Sequence, residues 1–189
     1  MRSIFLFVSV LVATSAAATP RLGADLHVGA LGTLEADAEA AGATQHDAEA
    51  TYVLSPWIEN YAIGPIRVGA EFELIWIKGA TENHSRRLLV SPQARLRYQR
   101  ALTKSYDFDA TFSLGPSWWT GSTDAGAGVA GTDNRIGWGM RVALGASYNL
   151  SSRLQAGANL GYLVNSSYGN RLTKTIDTLT VGLNVGTSY

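Results

Sequence analysis

Between residues 66 and 98 the chain alternates apolar and polar side chains. Ile66, Val68, Ala70, Phe72, Leu74 and Trp76 hold the even positions, with Arg67, Gly69, Glu71 and Glu73 between them before Ile75. After a short polar break, Leu88, Val90, Pro92, Ala94, Leu96 and Tyr98 alternate with Leu89, Ser91, Gln93, Arg95, Arg97 and Gln99. A period of two belongs to β-strands, because successive side chains of a strand point to opposite faces. One face is uncharged and the other carries full charges. A soluble sandwich would bury the first and wet the second. A transmembrane barrel turns the first to lipid and the second to its lumen.

The same pattern recurs along the chain. It predicts eight strands, over residues 22–31, 51–59, 66–76, 88–98, 106–118, 136–148, 154–164 and 178–189. The longest regular run sets Ile136, Trp138, Met140, Val142, Leu144, Ala146 and Tyr148 against Gly137, Gly139, Arg141, Ala143, Gly145 and Ser147. No position assigned to the apolar face of any strand is charged. That is a demanding condition, since a basic side chain at mid-bilayer costs about 2–4 kcal/mol on a barrel's lipid face. Connections alternate long and short, as a barrel with short periplasmic turns and longer extracellular loops requires. With an even strand count both ends of the barrel chain lie on the periplasmic side. Trp76, Trp118, Trp138, Tyr52 and Tyr162 then fall near the extracellular rim, and Tyr98, Phe108, Tyr148 and Tyr189 near the periplasmic rim. Two aromatic girdles result.

Three features qualify this picture. Residues 35–49, with Glu35, Asp37, Glu39, Asp47 and Glu49 and no basic residue, read as a long, exposed, solvated loop. Residues 119–134 read as a second long loop, rich in glycine. Pro56, Pro92 and Pro116 fall inside predicted strands, where proline cannot donate to the ladder. A bulge or a lost ladder bond is expected at each, or a shifted strand boundary at Pro116.

The totals narrow the class. The chain has 189 residues, no Cys and a formal net charge of +0. Balanced charge gives no reason to expect nucleic acid. The lack of Cys excludes disulfides and thiolate metal sites. Beyond the N-terminus no run of 18 apolar residues occurs, which argues against a helical membrane protein. The N-terminus itself reads as a cleaved secretory signal over residues 1–18. Arg2 gives the positive start, residues 4–13 the apolar centre, and Ala16, Ala17 and Ala18 the cleavage site. The barrel is expected over residues 19–189.

The lumen should be closed by its own side chains. Hairpin registers bring opposite charges onto adjacent strands, and buried charges need partners. Glu71, Glu73, Arg95, Arg97, Asp109 and Arg141 are therefore expected to form a lumenal ion-pair network. Strands six to eight turn Gly137, Gly139, Gly145, Gly157, Gly161, Gly182 and Gly186 inward, so that long charged side chains from the opposite wall can pack over them. The alternative is a water-filled path. For catalysis the sequence offers His46, Asp47 and the adjacent His84 and Ser85 in predicted outer loops. Neighbours on a strand face opposite ways, so the pair His84 and Ser85 is read as solvated. Lumenal His27 is read as a hydrogen-bonded interior residue. Three scattered histidines make no metal site, and no cofactor is expected.

Taken together, these residues resemble the small eight-stranded outer-membrane barrels of the OmpA, OmpX and OmpW type, over the whole chain after the signal. The most specific feature is the tail, in which Leu179, Val181, Leu183 and Val185 alternate before a final Tyr189. It looks like the terminal signal read by barrel-assembly machinery, with Leu183, Val185 and Tyr189 as its elements. Tyr189 stands in place of the commoner phenylalanine, and Thr187 is less apolar than usual. The resemblance implies an all-β, antiparallel, up-and-down transmembrane barrel in the cell outer membrane. Its partners would be outer-membrane lipid and lipopolysaccharide, with the assembly machinery during insertion, and it would be a monomer. The family includes structural anchors, adhesion or resistance factors, and channels for apolar solutes. The reading is therefore a non-enzymatic surface or envelope protein. Its alternatives are a minor channel for small or apolar solutes and a lipid-modifying enzyme.

Overall fold

The computed structural model describes the backbone of residues 17–38, 42–79, 87–120, 122–125, 129–132, 135–168 and 172–188. Among the described residues there are ten strands: β1 (Ala17–Ala38), β2 (Gly42–Ile63), β3 (Ile66–Gly79), β4 (Arg87–Ala101), β5 (Tyr106–Thr120), β6 (Ser122–Ala125), β7 (Val129–Thr132), β8 (Arg135–Asn149), β9 (Leu154–Tyr168) and β10 (Leu172–Ser188). Eight of them close a barrel in the order β1-β10-β9-β8-β5-β4-β3-β2, every neighbour antiparallel. The remaining two, β6 and β7, pair only with each other.

The strands outrun the sequence pattern at the extracellular end. Residues 35–49, expected as a loop, are mostly strand: β1 runs to Ala38 and β2 starts at Gly42, with Glu35 paired to both Gln45 and Thr175. His46 and Asp47 accordingly lie in β2 rather than in a loop. The region 119–134 likewise contains the β6–β7 hairpin. Leu34, Ala36 and Ala38 in fact alternate with Glu35 and Asp37, but the acidic, alanine-rich composition reads as a solvated loop, and the ladder hydrogen bonds continue because the strands stay in register. His84 and Ser85, Tyr189, and all of the expected signal except Ala17 and Ala18 lie outside the described residues. Those two alanines begin β1.

At the other end the connections are short. Gly64 and Pro65 alone join β2 to β3, and Gly64 takes the positive φ of 59° that the tight turn needs. Thr103 Oγ1 accepts from Ser105 N and Tyr106 N in the next turn, and Ser151 Oγ accepts from Arg153 N and Leu154 N in the third. These ends define the periplasmic side.

The prolines are accommodated without bulges. Register is kept on both sides of Pro56, but its pairing with β3 lapses between Leu54 and Trp57. Pro92 and Pro116 stand opposite one another, flanked by the pairs Val90–Trp118 and Ala94–Leu114, and the β4–β5 ladder is interrupted only there. Each proline removes the donor its opposite would have accepted, so the two share one gap. Ser91 Oγ donates to the Pro116 carbonyl at 2.8 Å and recovers one acceptor.

The outer face is aliphatic and aromatic. Leu26, Phe72, Leu96, Phe112, Leu144, Leu160, Val181 and Leu183 are all exposed. So many exposed large apolar side chains in one belt mark a lipid-covered surface. Tyr52 sits beside Trp76 at its upper edge, and Tyr106 and Tyr148 rings meet at 5.0 Å at its lower edge. Val142→Arg, at the middle of this belt between Phe112 and Tyr162, should lower the unfolding free energy in lipid vesicles by about 2–4 kcal/mol. Denaturant titration in vesicles measures this, and an unchanged midpoint would contradict a lipid-facing belt.

Candidate functional site in the lumen

The inward residues form three layers. The middle layer is ionic. Arg95 donates through Nη1 to Asp25 Oδ2 at 2.8 Å and to Glu71 Oε2 at 2.5 Å, and through Nε to Glu59 Oε1 at 3.1 Å. Arg141 donates through Nη2 to Glu71 Oε2 at 2.8 Å and to Asp25 Oδ2 at 3.3 Å, and its Nε lies 3.0 Å from Glu73 Oε1. Arg97 binds Asp109 Oδ1 through both Nε (3.0 Å) and Nη2 (2.7 Å), and its Nη1 lies 3.9 Å from Glu59. The structure thus joins all six residues singled out in the sequence, Glu71, Glu73, Arg95, Arg97, Asp109 and Arg141, through shared partners. All are buried. The contacts run on diagonals: Glu71 stands opposite Gln93, with Arg95 two residues further along the strand.

Four further residues complete this layer. Asp25 and Glu59 link Arg95 to β1 and β2 across the barrel interior. Trp57 turns inward, donates from Nε1 to Asp25 Oδ1 at 2.9 Å, and lies under both Arg95 (4.9 Å) and Arg97 (5.8 Å). Its ring face attracts those guanidiniums where water is scarce. His27 is hydrogen-bonded to Arg141 and faces Thr180 at 3.4 Å, an interior structural role. Polar amides finish the network: Gln93 Nε2 donates to Glu73 Oε2 at 2.6 Å, and Gln155 Nε2 to Asp107 Oδ2 at 2.9 Å.

The glycine wall provides the room. A Cβ at Gly182 would come 2.4 Å from the His27 ring, and one at Gly23 or Gly186 would come 2.4 or 2.7 Å from the Trp57 ring. Large side chains from other strands fill the space the missing side chains leave. The cavity remaining among Asp25, Trp57, Arg95, Arg97 and Asp109 is about 10 Å³, room for one water molecule.

Above the ionic layer, toward the extracellular end, the lumen is apolar. Val53, Ile75, Ile77, Leu89, Leu163 and Ile176 form one buried cluster. The sequence reading treated the inward face as polar throughout and so missed this layer, although Val53, Ile75, Leu89 and Leu163 have inward parity. Below the ionic layer, the periplasmic mouth opens into a cavity of about 630 Å³. Among the described residues, no group of three or more His, Cys, Asp or Glu side chains is placed to hold a metal ion.

Removing Arg97 would leave Asp109 buried without its guanidinium, a change that typically costs about 3–5 kcal/mol. Arg97→Ala should therefore lower the denaturant midpoint of the folded barrel substantially, and Arg141→Ala should do the same by taking from Glu73 its guanidinium and from Glu71 one of two. A midpoint unchanged in both variants would show that the network does not hold the barrel together.

The comparisons agree with this geometry. The family model described as "Outer membrane protein beta-barrel domain" matches residues 3–188. No curated protein sequence matches the chain. Among solved structures, Neisserial surface protein A is 14% identical with a TM-score of 0.60, over 92% of this chain and 99% of that one. The outer membrane protein OprG from Pseudomonas aeruginosa is 14% identical with a TM-score of 0.53, over 93% and 98%. The outer membrane protease OmpT from Escherichia coli is 9% identical with a TM-score of 0.51, over 93% and 99%. At such identities these likenesses speak to fold alone. The family match over nearly the whole length and the closed eight-stranded barrel give one conclusion: this chain belongs to the outer membrane protein β-barrel family.

Proposed function

We propose that the protein is a non-enzymatic surface or envelope protein of the outer membrane, whose barrel is a closed support and does not conduct. The observation that carries this reading is the double seal. A buried ionic layer centred on Arg95, Arg97 and Arg141 lies beneath a buried aliphatic layer of Val53, Ile75, Ile77, Leu89, Leu163 and Ile176. An ion entering from either end meets a tightly packed ionic layer or an aliphatic constriction, and a hydrophobic constriction excludes ions by dewetting. The barrel then acts as a single unit in outer-membrane lipid and lipopolysaccharide. Its work falls to the connections at the extracellular end, after export by a cleaved signal and insertion by the assembly machinery. A second reading, a minor path for small apolar solutes, draws on the aliphatic layer itself, since that layer would tolerate such a solute better than an ion.

In planar bilayers the purified protein should show no stable open level of nanosiemens order. Such a level would defeat the closed reading. Uptake of a small apolar solute into vesicles, raised by the protein and lowered by Leu163→Trp, would support the second reading instead. Mass spectrometry of lipid A from cells with and without the gene should show no difference, and a modified lipid A would replace both readings with an enzymatic one.

A further inference from the structure

The cavity at the periplasmic mouth has the opposite charge to the layer above it. That layer holds five carboxylates, Asp25, Glu59, Glu71, Glu73 and Asp109, against three guanidiniums, Arg95, Arg97 and Arg141. The mouth, of about 630 Å³, is lined by Arg21, Arg67 and Lys104 with Asp107 as its one carboxylate, beside Gln99 and Asn149. Asp107 is already engaged, because its Oδ2 accepts from Gln99, Asn149 and Gln155 at 2.9, 3.3 and 2.9 Å. Arg21 spends one nitrogen on Gln99 Oε1 at 2.7 Å; Arg67 and Arg97 repel it, and Glu59 and Asp109 attract it less strongly. Arg67 Nη1 is buried and has no hydrogen-bond partner.

A buried guanidinium nitrogen without an acceptor is costly, and like charges crowded into one cup are costlier still. One anionic phosphate group would relieve both. We propose that the periplasmic mouth is a binding site for a phosphate group, held by Arg21, Arg67 and Lys104. Two guanidiniums offer the paired donors that match phosphate oxygens, and the ammonium adds a point charge. The carboxylate excess of the layer above repels an anion that tries to go deeper, so the group is held at the mouth and is not passed through the barrel. The phosphate belongs either to a free periplasmic anion or to the headgroup of an inner-leaflet phospholipid.

The test uses the folded full-length protein. Pyrophosphate is titrated calorimetrically into protein in uncharged detergent micelles. In parallel, protein is incubated with phosphatidylcholine vesicles containing phosphatidylglycerol, and retained lipid is read by native mass spectrometry. Arg67→Gln and Lys104→Gln should each weaken binding about tenfold or more, a loss of about 1.4 kcal/mol or more, while circular dichroism stays that of the folded barrel. Arg100→Gln, on an exposed position of β4 outside the mouth, should leave binding unchanged. Saturable pyrophosphate binding with these effects identifies a free anion as the source. Retention of phosphatidylglycerol but not pyrophosphate, lost in Arg67→Gln, identifies the lipid. Absence of both, or binding that neither substitution weakens, overturns the proposal.

Discussion

Everything in this molecule follows from a closed ladder of backbone hydrogen bonds in a solvent that offers none. Lipid cannot satisfy an N–H or a C=O, so each strand must be paired on both sides and no edge is left open. The order β1-β10-β9-β8-β5-β4-β3-β2 meets that demand by pairing the first strand with the last. The prolines show how little slack it leaves. Pro92 and Pro116 would each break the ladder at a separate place if they lay apart, but in register they break it once. Closure also fixes parity. Once β3 places Phe72 toward lipid, Glu71 and Glu73 have no choice but the interior.

Closure makes the interior a problem of its own. Eight strands enclose a space that side chains must fill, and half the residues of every strand point into it. Arginine answers the need for reach and for several donors at once. Arg95 alone reaches carboxylates from β1, β2 and β3, and lysine has no planar fork with which to do so. The sharing of acceptors is the other half of the solution. Glu71 Oε2 takes hydrogen bonds from both Arg95 and Arg141, and Asp25 takes them from Trp57, Arg95 and Arg141. Such sharing ties β1, β2, β3, β4 and β8 together through the lumen, independently of the wall. The glycines opposite are the condition for it, since Trp57 and His27 occupy volume that any larger residue at Gly23, Gly186 or Gly182 would claim.

The sequence made the lipid face legible because lipid imposes a rule on every residue it touches. The uncharged belt and the eight strands of the barrel wall could be read from parity alone. The lumen obeys a weaker rule, that charges be compensated somewhere, and compensation acts across the barrel as well as between neighbours. Hairpin arithmetic therefore found Glu71 with Arg95 and Arg97 with Asp109, whose strands adjoin. It could not find Asp25 with Arg95, which are 70 positions apart on strands that share no edge. Trp57 was hidden for a different reason, since an aromatic residue on a barrel strand is expected at a rim and this one stacks on guanidiniums inside. The parity of Ile75 and Leu89 was visible, but polarity was taken as the mark of an inward position, and an apolar layer inside the barrel violates it. Above the membrane the rule lapses altogether. There the strands continue to Ala38 and from Gly42, and Leu34, Ala36 and Ala38 still alternate with Glu35 and Asp37, but alanine is too weakly apolar and the acidic run too suggestive of a solvated loop for that alternation to be read as strand.

The vertical order of the lumen also decides how its parts can be built. An aliphatic layer at the extracellular end removes water from the charges beneath it, and removal of water strengthens their attraction while raising the cost of any charge left unpaired. Each further donor in the ionic layer therefore counts, and Gln93 and Gln155 add donors to Glu73 and Asp107 beyond those of the three arginines. At the periplasmic end no such cover exists. Arg21, Arg67 and Lys104 line an open mouth, where water or a dissolved anion can reach them and charge need not be balanced within the protein. The same chain thus carries charges interlocked with opposite charges where the barrel is dry, and charges mainly of one sign where it is wet. Burial of the lumen, more than the identity of any single residue, sets that boundary.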